Sequence, residues 1–249
     1  MNIIVFDTET TSLEKPFVYD IGYIVYDTEA GATLVKRSFV VEQVWHNMEL
    51  FTTAYYAEKR KGYVNAMRSR KMTLAKYGAI CRQMYKDITD YDITTAYAYN
   101  SVFDDKVFDY NCEWFKTINP FDSVKILDIR GYVHQFIVND TYRDFCEKNQ
   151  LFTESGNYST TAETVYRFIC SDTEFEEAHT ALNDAEIELD ILKYAIDHGA
   201  EYGVPYQTLF SVGRNVLKEL TITDREGDKH IFKYAKIRIN GARTDIKLT

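Results

Sequence analysis

Apolar residues form short β-branched and aromatic runs in the first part of the chain and recur at helical spacing in most of the remainder. Short runs of this kind, bounded by polar or turn-forming residues, favour buried strands over helices. We predict strands at 2–6, 18–26, 33–41, 94–99 and 124–127. Residues 27–31 join the second and third of these runs as a hairpin.

Apolar positions spaced three and four residues apart predict amphipathic helices after the third strand. We expect helices at 73–88, 103–115, 130–138, 141–149, 161–170, 180–198 and 205–218. A hairpin over 219–239, turning at Glu226-Gly227-Asp228, follows the last of them. Strands first and then alternating helices and strands are typical of an α/β sheet covered by helices.

The first strand ends in a polar pattern that needs an explanation. In IIVFDTETTSL, four apolar residues run directly into Asp7 and Glu9. Side chains alternate along a strand, so these two carboxylates are expected on the same side. Two carboxylates held together repel each other unless a cation or water lies between them. The same triplet recurs as Asp27-Thr28-Glu29 before Ala30-Gly31, where we interpret it as a solvent-exposed turn.

The length and composition limit the class of protein. A chain of 249 residues can form one large domain or two small ones, and no linker, repeat or low-complexity stretch divides it. No apolar run approaches the ~20 residues that span a membrane, and no signal peptide is recognisable, so we expect a cytoplasmic protein without a membrane partner. The four cysteines are widely separated, which predicts buried free thiols and argues against a zinc site.

The net charge of −9 is unusual for a nucleic-acid-binding protein, but the charge is distributed unevenly. Residues 51–76 carry seven Lys or Arg against one acid, and residues 200–249 carry nine against six. Three tyrosines, Tyr55, Tyr56 and Tyr63, lie within the first basic segment, a combination that suits single-stranded nucleic acid. We expect Arg68, Arg70 and Lys71 to contact the substrate; the alternative is an ordinary solvated face.

Other acids could complete a site with Asp7 and Glu9, because Mg²⁺ and Mn²⁺ prefer carboxylate oxygens. Asp104 stands where a strand gives way to a helix, although acids there are also common as caps. Asp128 likewise ends a strand, and we interpret it as the cap of the next helix. Five helical residues turn the chain by about 500°, so His179 can approach Asp184 only from the loop before the helix, with Thr180 as a possible cap.

Three motifs together give the chain a resemblance to a known family. Asp7-x-Glu9, Asn100-x-x-Phe103-Asp104 and His179-x-Ala181-x-x-Asp184-Ala185 resemble, in order and over residues 1–200, the motifs of the DEDDh 3′→5′ exonucleases. The resemblance implies an RNase H-like fold and two divalent ions, Mg²⁺ or Mn²⁺, bound by four residues: Asp7, Glu9, Asp104 and Asp184. It also implies that His179 is the general base.

The same resemblance implies residues that hold the substrate and a division of the chain. Five residues would bind the substrate: Thr8, Thr10, Leu13, Asn100 and Phe103. Of these, Thr10 and Leu13 would touch the terminal nucleotide, and Asn100 and Phe103 would shape the pocket. Leu13 would act as a wedge against the base, whereas Ser12 stands where many members have glycine. We expect an exonuclease domain at 1–200, built on a central mixed five-stranded sheet flanked by helices. Residues 201–249 would form a C-terminal extension, a helix and a β-hairpin, packed on it or appended to it.

The expected activity is hydrolysis of nucleic acid from a free 3′ end, with release of nucleoside 5′-monophosphates. We expect single-stranded DNA as the substrate and a DNA polymerase or another replication or repair protein as a partner, as in proofreading. One alternative is an exoribonuclease of the same fold. Another is an RNase H-like endonuclease or integrase that uses Asp7, Asp104 and Asp184. A third is a nucleic-acid-binding module that has lost turnover.

Overall fold

A mixed six-stranded sheet forms the centre of the computed structural model, which describes residues 1–51, 60–209 and 212–213 and the backbone of 217–223, 229–239 and 242–248. The strands are β1 (Asn2–Thr10), β2 (Val18–Asp27), β3 (Ala32–Val41), β4 (Thr73–Ala75), β5 (Thr95–Ala98) and β6 (Lys125–Asp128). Their order is β4-β3-β2-β1-β5-β6. The first three form an antiparallel meander, and the other three pair parallel to their neighbours. The predicted mixed sheet is confirmed, with one strand more than expected.

The additional strand, β4, corrects the predicted helix at 73–88. Residues Thr73–Ala75 pair in parallel with Phe39–Val41, and the helix begins only at Tyr77. The apolar side chain of Leu74 is 40% exposed, so it does not extend the buried stripe of that helix. Pairing with β3 satisfies backbone groups at the sheet edge, and this tertiary contact outweighs the local helical pattern.

Helices cover both faces of the sheet. The first face packs against α1 (Glu42–Trp45), α2 (Met48–Phe51), α3 (Arg60–Arg68), α4 (Tyr77–Asp90) and α5 (Ser101–Phe115). The second packs against α6 (Ile129–Tyr132) with the π-helical turn Val133–Ile137, α7 (Asp140–Asn149), α8 (Ala162–Cys170) and α9 (Ala181–Asp197). Along β1, Ile4 and Phe6 enter the first core, whereas Ile3 and Val5 enter the second, as strand alternation requires.

Gly22 allows α9 to approach the sheet closely. A Cβ atom added at Gly22 would lie 2.0 Å from the backbone nitrogen of Leu182, so no side chain fits between β2 and the first turn of the helix. Gly22 is also the ladder partner of Asp7 on β1. The contact therefore places the start of α9 beside the acidic end of β1.

The segment after α9 differs from the prediction. Residues 205–209, 212 and 213 are not helical, which contradicts the helix expected at 205–218. Tyr206 instead packs edge-on against Tyr132 and Phe136, with ring centroids 4.8 and 4.7 Å apart. A Cβ atom at Gly131 would lie 2.2 Å from the carbonyl oxygen of Tyr206. The apolar residues of this segment thus record packing across α6 rather than a helical stripe.

The predicted hairpin is confirmed in β7 (Leu217–Thr223) and β8 (Lys229–Ile239), which pair antiparallel, and its turn at 226–228 lies outside the described residues. A third strand, β9 (Ala242–Leu248), extends this sheet and was not predicted. The division of the chain at residue 200 stays a prediction.

The thiols and the helices bear on two further expectations. Cys81, Cys112 and Cys146 are buried and free as expected, but Cys170 is exposed at the end of α8, so burial was wrong for that residue. Among the described residues, no helix combines the length and apolar character needed to cross a membrane.

Candidate active site

Three carboxylates converge where β1 ends. One oxygen each from Asp7, Glu9 and Asp184 can be chosen so that all three lie within 4.8 Å of one another. All three residues are half-buried. Several carboxylate oxygens at this spacing are the donor set that a hard divalent cation such as Mg²⁺ or Mn²⁺ prefers. The residues present therefore fit a divalent metal.

The strand and the helix bring these acids together for simple geometric reasons. Asp7 and Glu9 continue the alternation of Ile3 and Val5, so they face the helical layer that contains α9. Asp184 lies in the first turn of α9, which Gly22 allows to sit directly on the sheet. The prediction that Asp7 and Glu9 share one side is confirmed.

Asp104 lies near these acids but outside the group of three. It belongs to the first turn of α5 and is 3% exposed. Its Oδ1 accepts a 2.7 Å hydrogen bond from the hydroxyl of Thr8, whose side chain points to the opposite face from Asp7. The hydroxyl of Thr8, expected at the substrate, is therefore already engaged, and Thr8 is only 7% exposed.

The site is electrostatically unfavourable without a cation. Burial raises the pKa of Asp7 well above its usual range, and the nearby carboxylates of Glu188, Asp104 and Asp184 raise it further. Burial likewise raises the pKa of Asp104 to about 7, against the opposing hydrogen bond from Thr8. A bound cation would compensate this concentration of negative charge.

Glu188 is a fifth acid of the cluster that the motifs did not indicate. It is 3% exposed, and its Oε2 accepts a 3.1 Å hydrogen bond from the backbone N–H of Tyr99 at the end of β5. Burial raises the pKa of Glu188, and the charges of Asp104 and Asp184 raise it further. The signal in the sequence was its position one helical turn after Asp184, which places both side chains on one face.

His179 lies on the loop before α9, as the helical geometry required. Its φ is +48°, and its Nδ1 is 3.6 Å from Oε2 of Glu177. Thr180 occupies the cap position, but its side chain makes no capping hydrogen bond. Asp20 of β2 takes that role, because its Oδ2 accepts a 3.1 Å hydrogen bond from the backbone N–H of Ala181. The possible cap by Thr180 was therefore wrong.

Comparisons with solved structures show which known proteins share the fold of this chain. No protein-family model matches the sequence, and neither does any curated protein. The nuclease domain of 3′hExo, described as a DEDDh family member bound to rAMP, is similar in structure with a TM-score of 0.55 at 12% identity, over 85% of this chain and 97% of that one. E. coli exonuclease I in complex with a dA16 oligonucleotide gives a TM-score of 0.50 at 14% identity over 80% of this chain. The chain has the DEDDh 3′→5′ exonuclease fold.

Two further facts define this likeness. A 3′-exonuclease that recognises the 3′ end of a histone mRNA stem-loop also shares the fold, with a TM-score of 0.50 and 10% identity over 86% of this chain and 76% of that one. The chain spans only 41% of the E. coli exonuclease I chain. At these identities the comparisons show the DEDDh fold and leave the activity to be argued from the residues.

Asn100 and Asp128 lie at the ends of β5 and β6, at the same edge of the sheet as the end of β1. Asp128 caps α6 as predicted, by accepting a 2.9 Å hydrogen bond from the N–H of Arg130, and also accepts one from the N–H of Asn100. Asn100 is exposed, with φ at +63°, and its side-chain oxygen accepts a 3.3 Å hydrogen bond from the guanidinium of Arg130. Arg130 is a cation at this edge that the motifs did not indicate. Phe103 is half-buried against the first core.

The loop after β1 presents the expected wedge to solvent. Leu13 is 82% exposed, and the hydroxyl of Thr10 donates a 3.4 Å hydrogen bond to the carbonyl of Ser12. Asn111 of α5 holds the end of this loop, because its side chain donates to the carbonyl of Pro16 and accepts from the N–H of Val18. The loop that carries Leu13 is thereby fixed to the helix that carries Asp104.

The basic segment separates into anchored and exposed residues. Arg68, Arg70 and Lys71 are exposed at the end of α3 and just after it. Arg60 instead stacks over the ring of Trp45, with its guanidinium carbon 4.0 Å from the ring centroid. Tyr63 is 2% exposed, so the expectation that it stacks on nucleic acid was wrong for this residue. Tyr55 and Tyr56 lie outside the described residues.

Proposed function

We propose that the protein is a divalent-metal-dependent exonuclease that hydrolyses single-stranded DNA from its 3′ end. The observation that carries the proposal is the convergence of Asp7, Glu9 and Asp184 within 4.8 Å, beside the loop of His179, in a DEDDh fold. Attack of a water molecule on the terminal phosphodiester would release nucleoside 5′-monophosphates.

The acids divide into direct and indirect roles. Asp7, Glu9 and Asp184 would hold divalent cations, and Asp104, fixed by Thr8, would complete the site from the other helical layer. Such cations, when bound, supply an activated water and charge stabilisation at the leaving oxygen. Glu188 would hold the end of β5 against α9 through the N–H of Tyr99 and add negative charge to the site.

His179 and the exposed residues would act on the proton and on the strand. His179 stands on the loop at the start of α9 and would accept the proton of the attacking water as a general base. The exposed Leu13 would pack against the terminal base, with Thr10, Asn100 and Phe103 around the nucleotide. Arg68, Arg70 and Lys71 would contact phosphates farther along the strand.

Digestion of end-labelled oligonucleotides tests the activity. Single-stranded and duplex DNA and RNA, each labelled at the 5′ end, are incubated with Mg²⁺, Mn²⁺ or EDTA, and the products are resolved by length. The proposal predicts a ladder that shortens from the 3′ end of single-stranded DNA. The same DNA labelled instead in its 3′-terminal nucleotide should release a labelled nucleoside 5′-monophosphate. Circular single-stranded DNA should persist; its linearisation would favour the endonuclease reading instead.

RNA is the second candidate substrate, because two of the structures that share the fold are described with rAMP or a histone mRNA stem-loop. Faster degradation of single-stranded RNA than of DNA of the same sequence would assign the protein to this class. A DNA polymerase as partner, a role in repair or proofreading and a cytoplasmic location stay predictions.

A further inference from the structure

A buried carboxylate links three parts of the candidate site that are far apart in sequence. Oδ2 of Asp20 accepts a 2.8 Å hydrogen bond from the hydroxyl of Tyr63 and a 3.1 Å hydrogen bond from the N–H of Ala181. Asp20 is 0% exposed and Tyr63 is 2% exposed. One oxygen atom thus joins α3, β2 and the first residue of α9.

Each joined part carries residues of the proposed site. Tyr63 lies on α3, whose end presents the exposed cation Arg68. Asp20 is the ladder partner of Glu9 on the neighbouring strand. Ala181 follows His179 by two residues and begins the helix of Asp184. The Asp20 carboxylate therefore contacts the scaffold of both the phosphate-binding and the proton-transferring residues.

We infer that Asp20 and Tyr63 are positioning residues that hold α3 and the His179 loop in fixed positions relative to each other. The inference rests on the proposed function. Asp20 fixes the start of α9 by accepting from a helix N-terminal N–H that Thr180 leaves uncapped. Tyr63 connects α3 to the same oxygen, Oδ2 of Asp20. A DNA strand that binds the cations of α3 therefore reaches the metal-binding acids in a fixed position.

The chain contains a matched control for this bridge. Tyr23 of β2 donates a 2.7 Å hydrogen bond to Oδ2 of Asp87 on α4, and both residues are at most 2% exposed. This pair also joins a tyrosine hydroxyl to a buried carboxyl group, but Asp87 is paired with Arg37 rather than with the start of α9. Removing either tyrosine hydroxyl deletes one hydrogen bond to a buried carboxylate.

The first experiment compares Tyr63→Phe with Tyr23→Phe. Binding of a fluorescein-labelled single-stranded DNA is measured in an Asp7→Ala background, and KM and kcat are measured without that change. We expect Tyr63→Phe to raise Kd and KM by about 10-fold, because α3 is then no longer held in place relative to the metal-binding acids, with kcat within about threefold. Tyr23→Phe should leave Kd and KM unchanged. The two variants should lower the melting temperature by similar amounts.

The second experiment compares Asp20→Asn with Asp20→Ala. The oxygen of an asparagine amide can accept both hydrogen bonds, so we expect kcat of Asp20→Asn to stay within about threefold of the unmodified protein. Asp20→Ala removes both hydrogen bonds, and we expect kcat to fall by about 10-fold or more because the loop of His179 loses its anchor. Thermal melting identifies a variant that does not fold; if Asp20→Ala is one, Asp20→Asn and Tyr63→Phe decide.

The outcomes separate this inference from the proposed function. If the unmodified protein degrades none of the substrates, the proposed function is wrong. If it is active but Tyr63→Phe behaves like Tyr23→Phe in Kd and KM, Tyr63 serves stability alone and the inference is overturned. A kcat for Asp20→Asn as low as that of a folded Asp20→Ala would also overturn it, since the charge rather than the hydrogen-bonded geometry would then matter.

Discussion

The same three letters, Asp-Thr-Glu, occur twice in this protein and produce opposite environments. Asp7-Thr8-Glu9 lies at the end of β1, and Asp27-Thr28-Glu29 lies at the end of β2 and in the turn that follows. Both triplets follow buried apolar runs on strands that pair with each other. The local sequence is therefore nearly the same, and only the surroundings differ.

The surroundings shift the pKa of the aspartate in each triplet in opposite directions. Oδ1 of Asp27 accepts hydrogen bonds from the N–H groups of Glu29 and Ala30, and these bonds lower its pKa. Burial and four other acids raise the pKa of Asp7 well above its usual range. Asp27 thus stabilises a turn, whereas Asp7 forms part of a site that favours a cation. The difference shows that packing of α9 and α5, and not the triplet itself, creates the candidate site.

The strongest test of this comparison is Asp7→Ala beside Asp27→Ala. We expect Asp7→Ala to lower turnover by about 10³-fold or more, because a metal ligand is lost. Stability in EDTA should hold or rise, since one of several repelling carboxylates is removed. Asp27→Ala should keep its turnover and lose a little stability. Turnover is measured with single-stranded DNA and stability by thermal melting. Full activity of Asp7→Ala, or of the unmodified protein in EDTA, would exclude the metal site.

The next test separates two residues at the start of α9. Asp184→Ala should weaken Mg²⁺ binding and nearly abolish turnover, whereas His179→Ala should bind Mg²⁺ normally and lose about 10²–10⁴-fold in turnover, the usual worth of a general base. His179→Ala should also lose the rise of rate with pH in the range where imidazole titrates. Calorimetric metal titration and pH–rate profiles of both variants measure these effects. Unchanged turnover in His179→Ala would exclude its role as the base.

A smaller effect is expected from the exposed cations. Replacing Arg68, Arg70 and Lys71 together by alanine should weaken binding of single-stranded DNA by about 10-fold or more at low salt. It should also flatten the slope of log K against log salt by up to about 0.7 per lost phosphate contact. Replacing Arg143 and Lys148 on α7 is the control. Equal salt slopes in the unmodified protein, the triple variant and the α7 control would mean that the basic segment is only a solvated surface.

Glu188→Gln tests the fifth acid. Glutamine can still accept the hydrogen bond from the N–H of Tyr99, so the fold should be retained. We expect Mg²⁺ affinity to fall by about 10-fold, as for other residues that support metal ligands, and stability without metal to rise because a buried charge is removed. Calorimetry and melting in EDTA measure the two effects. Unchanged metal affinity would confine Glu188 to a structural role.

The smallest predicted effect is the pH dependence of stability without metal. Burial raises the pKa of Asp20 and of Asp104 to about 7, above the unfolded value near 4. The folded state therefore binds protons more tightly, and stability should rise as pH falls from 8 to 6, by about 1 kcal/mol per carboxyl. Burial lowers the pKa of His134 to about 4, so this residue opposes the trend below about pH 6.5. Melting in EDTA across this range, with Mg²⁺ as the comparison, measures the effect; a flat profile would contradict it.

Much of the fold could be predicted because it is written in local periodicity. Residues Ile3–Phe6, most of β2 and the last four residues of β3 are buried on both faces, and the length and β-branched content of these runs distinguish them from helices. The same alternation fixed the common side of Asp7 and Glu9. Helical geometry required His179 to precede α9 if it was to share a site with Asp184. These features depend on neighbouring residues, which the sequence displays directly.

Only the tertiary structure determined the contacts between distant residues. Asp20 and Ala181 are 161 positions apart, and Thr8 and Asp104 are 96 apart, so no local pattern indicates that either pair is hydrogen-bonded. The helix expected at 205–218 was wrong for the same reason, because its apolar residues, such as Tyr206, pack across α6. Periodicity specifies which face of an element is apolar, but the partner of that face, and the charge state of a carboxyl buried against it, depend on how the whole chain packs.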